Sequence, residues 1–291
     1  MYARTASAAA LLGAAALLLP APVTRAVGPV PGPDGPAVIA HRGASAYAPE
    51  NTLAAIDLAD RMGFDWVEND VQRTKDGELV VVHDDSLART TDAEQRFPGR
   101  SPWKIKDFTA AEIATLDAGS WFGPKFAGAR VPTLRQYVNR VERNHQKLLL
   151  EIKKPELYPG IEKDTLRVLR RAGWLSLHHV KHRLVIQSFG ADSVKAVHEQ
   201  RPDITTGFLG APAVADLPKY ARFTDQINPP HTSLAGAYTA AVHRLKGAHG
   251  RQLKVNTWTV NTAADAARVD DFGVDGIITN HPDIVRDAVG D

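Results

Sequence analysis

Short apolar runs recur along this chain with stretches of helical spacing between most of them, and that beat most narrows the fold. Eight runs carry it, at residues 37–40, 66–71, 148–152, 184–188, 205–209, 225–228, 253–258 and 276–279. After the first, residues 51–62 place Leu53, Ile56, Ala59 and Met62 on one helical face, with Pro49 fitting the first turn. Repeated strand–helix units imply a parallel sheet. Eight of them over about 250 residues suit a closed (β/α)₈ TIM barrel. The alternative, an open doubly wound sheet, would carry an early glycine-rich phosphate loop, and no G-x-G-x-x-G occurs.

One segment breaks the beat. Residues 79–82 form a ninth strand-like run, joined to 66–71 through Asp76-Gly77, a hairpin signal. Counting outward from that turn pairs Lys75 with Glu78 and Asp70 with His83, so His83 should return beside Glu68 and Asp70. Residues 84–132 then lack a strand–helix pattern but hold Trp103, Trp121, Phe122 and Phe126, and read as a structured insertion over one barrel mouth. The barrel domain so defined runs over 37–291.

The chain has no cysteine, which excludes disulfides, thiolate nucleophiles and cysteine-ligated zinc. A net charge of +2 argues against nucleic acid as a partner. Arg4, the apolar run 8–19 and Thr24-Arg25-Ala26 read as a signal peptide over 1–26, cleaved after Ala26. The run is shorter than the roughly 20 residues of a membrane span, so stable membrane insertion is not expected. Residues 27–36 would form a flexible mature N-terminus, and the protein would be secreted.

Glu68 and Asp70 stand two apart on a strand and face the same way. Two such carboxylates repel unless a cation lies between them. Glu151 sits inside the apolar run 148–152. If these strands end at one mouth, the three acids form an oxygen-only site suited to Mg²⁺ or Ca²⁺. His41 and His83 each end a strand beside this cluster, as an acid/base pair would. Arg42 and Lys153 are candidates for holding a phosphate. Glu50 opens the first helix, where helix-end electrostatics also explain an acid. Trp258 closes a late strand as core packing or as an apolar pocket wall.

The ordered set His41-Arg42-Gly43, Pro49-Glu50-Asn51-Thr52, Glu68-Asn69-Asp70-Val71, Thr74-Lys75-Asp76-Gly77 and Val82-His83-Asp84 resembles the glycerophosphodiester phosphodiesterase family. Leu150-Glu151-Ile152-Lys153, Gln187-Ser188-Phe189, the run from Asn256 to Asn261 and the run from Asp275 to Asn280 extend the resemblance over residues 37–288. It implies a TIM barrel and hydrolysis of a small glycerophosphodiester to glycerol 3-phosphate and an alcohol. Glu68, Asp70 and Glu151 would bind a divalent metal, and His41 and His83 would be general acid and base. Arg42 and Lys153 would hold phosphate oxygens, with Trp258 beside the glycerol and Glu50 in the substrate site. The attacking group would be the substrate's own glycerol hydroxyl, by way of a cyclic phosphate. Asn69 replaces the apolar residue usual between the two acids and should affect packing only.

Two alternatives have different chemistry. A phospholipase D or sphingomyelinase D type shares a similar barrel and acid/histidine set, but those toxins rely on disulfides. A secreted, non-catalytic glycerophosphate-binding protein would have lost an acid or a histidine, and none is missing. Oligomeric state is not legible in the sequence.

Overall fold

The computed structural model describes residues 35–290, so the expected signal peptide and residues 27–34 lie outside the described residues. The strands are β1 (Ala37–Ala40), β2 (Trp66–Arg73), β3 (Leu79–Val81), β4 (Lys147–Ile152), β5 (Leu184–Ser188), β6 (Thr205–Leu209), β7 (Gln226–Asn228), β8 (Asn256–Thr257) and β9 (Gly276–Thr279). The helices are α1 (Leu53–Arg61), α2 (Ala93–Arg96), α3 (Ala110–Ile113), α4 (Leu134–Arg143), α5 (Ile161–Arg171), α6 (Leu177–His182), α7 (Ala191–Gln200), α8 (Leu217–Tyr220), α9 (Gly236–His243), α10 (Ala263–Asp271) and α11 (Pro282–Val289). Eight strands run parallel in the order β7-β6-β5-β4-β2-β1-β9-β8. Parallel bridges Gln226–Lys254 and Pro230–Trp258 join the two ends of that order, giving the TIM barrel. Among the described residues no helix is long and apolar enough to cross a membrane.

Alternation along each strand separates two layers. Val38, Ala40, Val67, Val71, Leu148, Leu150 and Ile152 face outward and pack under the helices with Ile56, Tyr137, Val141 and Leu169. Ile39, Leu149, Val185 and Ile278 face inward and fill the barrel with Trp66 and Trp258. The inward parity of β2 is therefore 66, 68 and 70, and that of β4 is 149 and 151. Both acids of β2 and the acid of β4 enter the barrel interior by this count.

The hairpin forms, but one residue out of the expected register. Asp70 lies opposite Val82, and Thr74 opposite Glu78. The cause is a three-residue loop, Lys75-Asp76-Gly77, instead of a two-residue turn. Thr74 Oγ1 accepts from the Glu78 amide at 3.0 Å and donates to Asp76 Oδ1 at 2.6 Å, which pulls Thr74 and Glu78 into facing positions. Gly77 takes the left-handed conformation that closes such a loop (φ 89°). His83 thus lies beyond the paired strand instead of opposite Asp70.

The first helix also begins later than expected. Asn51 is left-handed (φ 59°) and Thr52 is extended, so Pro49, Glu50 and Asn51 lie in the loop before α1. Thr52 caps the helix, its Oγ1 accepting from the Ala55 amide. The preceding His41-Arg42-Gly43 turn lies against this helix. A Cβ on Gly43 would fall 2.6 Å from the Ala55 carbonyl carbon, which leaves room only for glycine.

The segment after β3 has a small core of its own. Val80 and Val82 turn away from the barrel and pack with Leu87, Ile105, Phe108, Ile113, Leu116 and Val131. This explains how a segment without a strand–helix beat is structured.

Asn69 lies on the outward face of β2 between Val67 and Val71, fully buried, and both its amide atoms lack a hydrogen-bond partner. Leaving such a group unsatisfied costs about 1–3 kcal/mol. Asn69→Leu, of matching shape, should therefore raise Tm by several degrees in a thermal melt without changing turnover. A lower Tm would show that the amide is satisfied in solution.

Candidate active site

All nine residues singled out from the sequence lie at or around one end of the barrel, where the parallel strands terminate. The nearby cavity is lined by His41, Arg42, Glu68, His83, Glu151, Lys153, Gln187, Phe189 and Trp258 among others. A larger cavity opens at the opposite end, among the strand starts Trp66, Leu184 and Thr205 and the nearby Lys254. Chemistry in this fold belongs to the C-terminal strand ends, so size does not identify the site.

Glu68, Asp70 and Glu151 are buried, and each offers a carboxylate oxygen within 4.8 Å of the others. Burial, then repulsion from Asp70 and Glu151, holds the Glu68 carboxyl well above the usual range. Glu151 is pushed up to about 8 by burial and by Asp70. Burial works the same way on Asp70, but Arg42 and Lys153 outweigh it and hold that carboxyl down. Asp70 Oδ1 is buried with no hydrogen-bond donor. Two reluctant carboxylates, an orphaned oxygen and an all-oxygen donor set fit a hard divalent cation.

The cations and amides around the triad fix its shape. The Arg42 amide donates to Glu68 Oε2 at 3.0 Å, and its Nε stands 3.3 Å from Asp70 Oδ2. Arg42 is itself left-handed (φ 56°), which aims both its amide and its side chain at the acids. Asn51 Nδ2 donates to Asp70 Oδ2 at 2.8 Å. Lys153 Nζ is 2.9 Å from Glu151 Oε1 and 3.4 Å from Asp70 Oδ1.

Each candidate histidine is anchored through Nδ1. His41 Nδ1 meets Asn280 Oδ1 at 2.6 Å, and His83 Nδ1 meets Asp84 Oδ1 at 2.7 Å. An oxygen acceptor at Nδ1 places the proton there and leaves Nε2 for chemistry. The environments differ. Burial and then Arg42 hold His41 down at about 3, so its ring is neutral at pH 7. Burial also lowers His83, but a carboxylate backs it directly.

Glu50 is not a helix-end acid. Its Oε1 accepts from Arg42 Nη1 at 2.9 Å, and both its oxygens accept from Arg89. Trp258 serves both readings: it packs on the interior cluster and lines the cavity. Its Nε1 donates to the Asn228 carbonyl at 2.8 Å, and Phe189 meets it edge-on at 5.4 Å.

A buried carboxylate triad, two histidines anchored through Nδ1 and the cations Arg42 and Lys153 thus meet at the C-terminal mouth of the barrel. The family model for the glycerophosphoryl diester phosphodiesterase family matches residues 41–284. The chain belongs to that family. It is 36% identical over 264 residues to a glycerophosphodiester phosphodiesterase of Bacillus subtilis, covering 87% of this chain and 86% of that one. It is 36% identical over 254 residues to one from Caldanaerobacter subterraneus subsp. tengcongensis, covering 87% and 97%. Among solved structures, a phosphodiesterase of Oleispira antarctica in complex with the product sn-glycerol-3-phosphate is similar, with a TM-score of 0.72 and 28% identity over 89% of this chain and 98% of that one.

Within the family frame, residues not singled out from the sequence also take part in the site's structure: Asp84, Arg89, Gln187 and Asn280. Asp84 and Asn280 end motifs already recognised, and Gln187 and Asn280 share the inward parity of Val185 and Ile278, which could have pointed to them. Arg89 gives no such signal, since it reaches Glu50 from 39 residues away in an aperiodic segment.

Proposed function

We propose that this chain hydrolyses glycerophosphodiesters to glycerol 3-phosphate and an alcohol, with His41 and His83 as base and acid beside a divalent cation, Mg²⁺ or Ca²⁺. The observation that carries the reading is a cavity lined by two Nδ1-anchored histidines together with Glu68 and Glu151 of the buried carboxylate triad. Similarity to the glycerophosphodiester phosphodiesterases of Bacillus subtilis and Caldanaerobacter, and the product in the Oleispira antarctica complex, support the substrate class.

Glu68, Asp70 and Glu151 would hold the cation, which when bound would supply a positive charge to neutralise the phosphate. Arg42 and Lys153 bind the non-bridging oxygens and stabilise charge that develops on them. His41, neutral and tied to Asn280, takes the proton of the attacking oxygen on Nε2. His83 keeps a proton more readily because Asp84 backs it, and donates it to the departing alcohol. Trp258 and Phe189 form an apolar wall beside the glycerol. Export is part of the proposal: Arg4, the apolar run 8–19 and Thr24-Arg25-Ala26 support secretion after cleavage.

A product-resolved assay of the metal-loaded protein tests the reading. Glycerophosphocholine and glycerophosphoethanolamine should both release glycerol 3-phosphate. Turnover of sphingomyelin or lysophosphatidylcholine, with none of these two, would replace it with the phospholipase D type.

A further inference from the structure

Arg89 belongs to the insertion, not to the barrel, yet its guanidinium grips two carboxylates of the site. Nε donates to Asp84 Oδ2 at 2.6 Å and Nη2 to Asp84 Oδ1 at 3.1 Å. Nη1 donates to Glu50 Oε2 and Nη2 to Glu50 Oε1, both at 2.8 Å. Each carboxylate leads to a different functional side chain. Asp84 Oδ1 holds His83 Nδ1 at 2.7 Å, and Glu50 Oε1 holds Arg42 Nη1 at 2.9 Å. Arg42 continues to Asp70 Oδ2 at 3.3 Å. One planar group thus ties a histidine that follows the hairpin to an arginine that follows β1.

We propose that Arg89 is a positioning residue that sets His83 and Arg42 in register with each other, so that the insertion aligns the acid with the phosphate ligand. This rests on the functional reading above. A planar fork meets both oxygens of each of two carboxylates at fixed angles, whereas a lysine ammonium presents its three donors from one atom and fixes neither carboxylate plane. The four charges Asp84, Arg89, Glu50 and Arg42 balance. Without Arg89, Glu50 would compete with Asp70 for Arg42, and Asp84 would hold His83 with nothing fixing its own carboxylate. Simple surface ion pairs contribute little to stability. Here the effect is expected in rate, because misplacing reacting groups by about 1 Å costs on the order of 100-fold.

The Arg89 side chain is 45% exposed, so its truncation leaves little void. The test uses the full metal-loaded chain on glycerophosphocholine. Arg89→Ala should lower kcat by about 10–100-fold, as loss of a supporting partner does, with KM changed far less and Tm nearly unchanged. Arg89→Lys should recover little of that loss. Guanidinium ion at millimolar concentration should partly restore Arg89→Ala, while ammonium should not. Wild-type kcat in Arg89→Ala, a loss confined to KM, or full recovery in Arg89→Lys would overturn the proposal. If Arg89→Ala fails to fold, Arg89→Gln is read by the same criteria. A wild type that releases no glycerol 3-phosphate sinks the functional reading instead. The clamp is then judged from a crystal structure of Arg89→Ala: a turned His83 ring and displaced Arg42 uphold it, and unmoved side chains overturn it.

Discussion

His83→Ala should lose about 10²–10⁴-fold in kcat on glycerophosphocholine, the usual worth of a positioned acid, and much less on a glycerophosphodiester that releases p-nitrophenol. Choline is a poor leaving group until its oxygen is protonated, whereas p-nitrophenolate departs without a proton. His41→Ala should lose a similar factor on both substrates, since the attacking oxygen must be deprotonated in either case. The difference comes from burial and from the group behind each ring. Burial and then the neighbouring Arg42 guanidinium hold His41 neutral, and its Nδ1 meets an amide oxygen and not a carboxylate. His83 Nδ1 meets the Asp84 carboxylate, which stabilises the protonated ring. Steady-state rates of both variants on both substrates decide the matter. The reverse pattern would exchange the roles, and near-normal turnover in either variant on glycerophosphocholine would end the acid/base assignment.

The legible part of this site is the part written in strand period. On β2 and β4 an inward position recurs every second residue, so Glu68, Asp70 and Glu151 had to meet if the strands were parallel and adjacent. His41 follows from the same count on β1. The hairpin was visible as Asp-Gly, but its register was not, because Thr74 adds its own side-chain bonds and turns a two-residue loop into three. Glu50 misled for a related reason: a left-handed Asn51 delays the helix, and its side chain is held by Asp70 from β2. Arg89 was beyond reach, since nothing local in residues 84–132 says which distant acid an arginine will find. The barrel's polar interior was likewise hidden. Asn228 Nδ2 donates to Gln187 Oε1 across β6, and Asn256 Nδ2 donates to Gln226 Oε1 across the closing seam, pairings between strands distant in the chain.

Removal of divalent metal by exhaustive chelation should abolish turnover and leave a protein whose stability falls as pH rises. Glu68 and Glu151 have folded-state affinities for protons raised by burial and by repulsion from Asp70, Glu151 to about 8. In the unfolded chain a glutamate titrates near about 4.3. Between those limits the metal-free folded state holds protons that the unfolded state has released, so stability is greatest below the unfolded value and is lost as pH rises through the folded one. Asp70 is shifted the other way, so its contribution is lost only under strong acid, outside this window. A cation needs these carboxylates ionised, and its stabilisation should therefore grow with pH. The Tm gained on adding saturating Mg²⁺ or Ca²⁺ should be larger at about pH 9 than at about pH 5. Glu151→Gln removes one of the repelling charges. Without metal at about pH 9 it should melt above the wild type while remaining inactive, because the residue that destabilises the empty triad is one the reaction requires. Thermal melts at both pH values, with chelator and with each metal, check this alongside turnover. Full activity after chelation, together with a Tm indifferent to metal at either pH, would remove the cation from Glu68, Asp70 and Glu151.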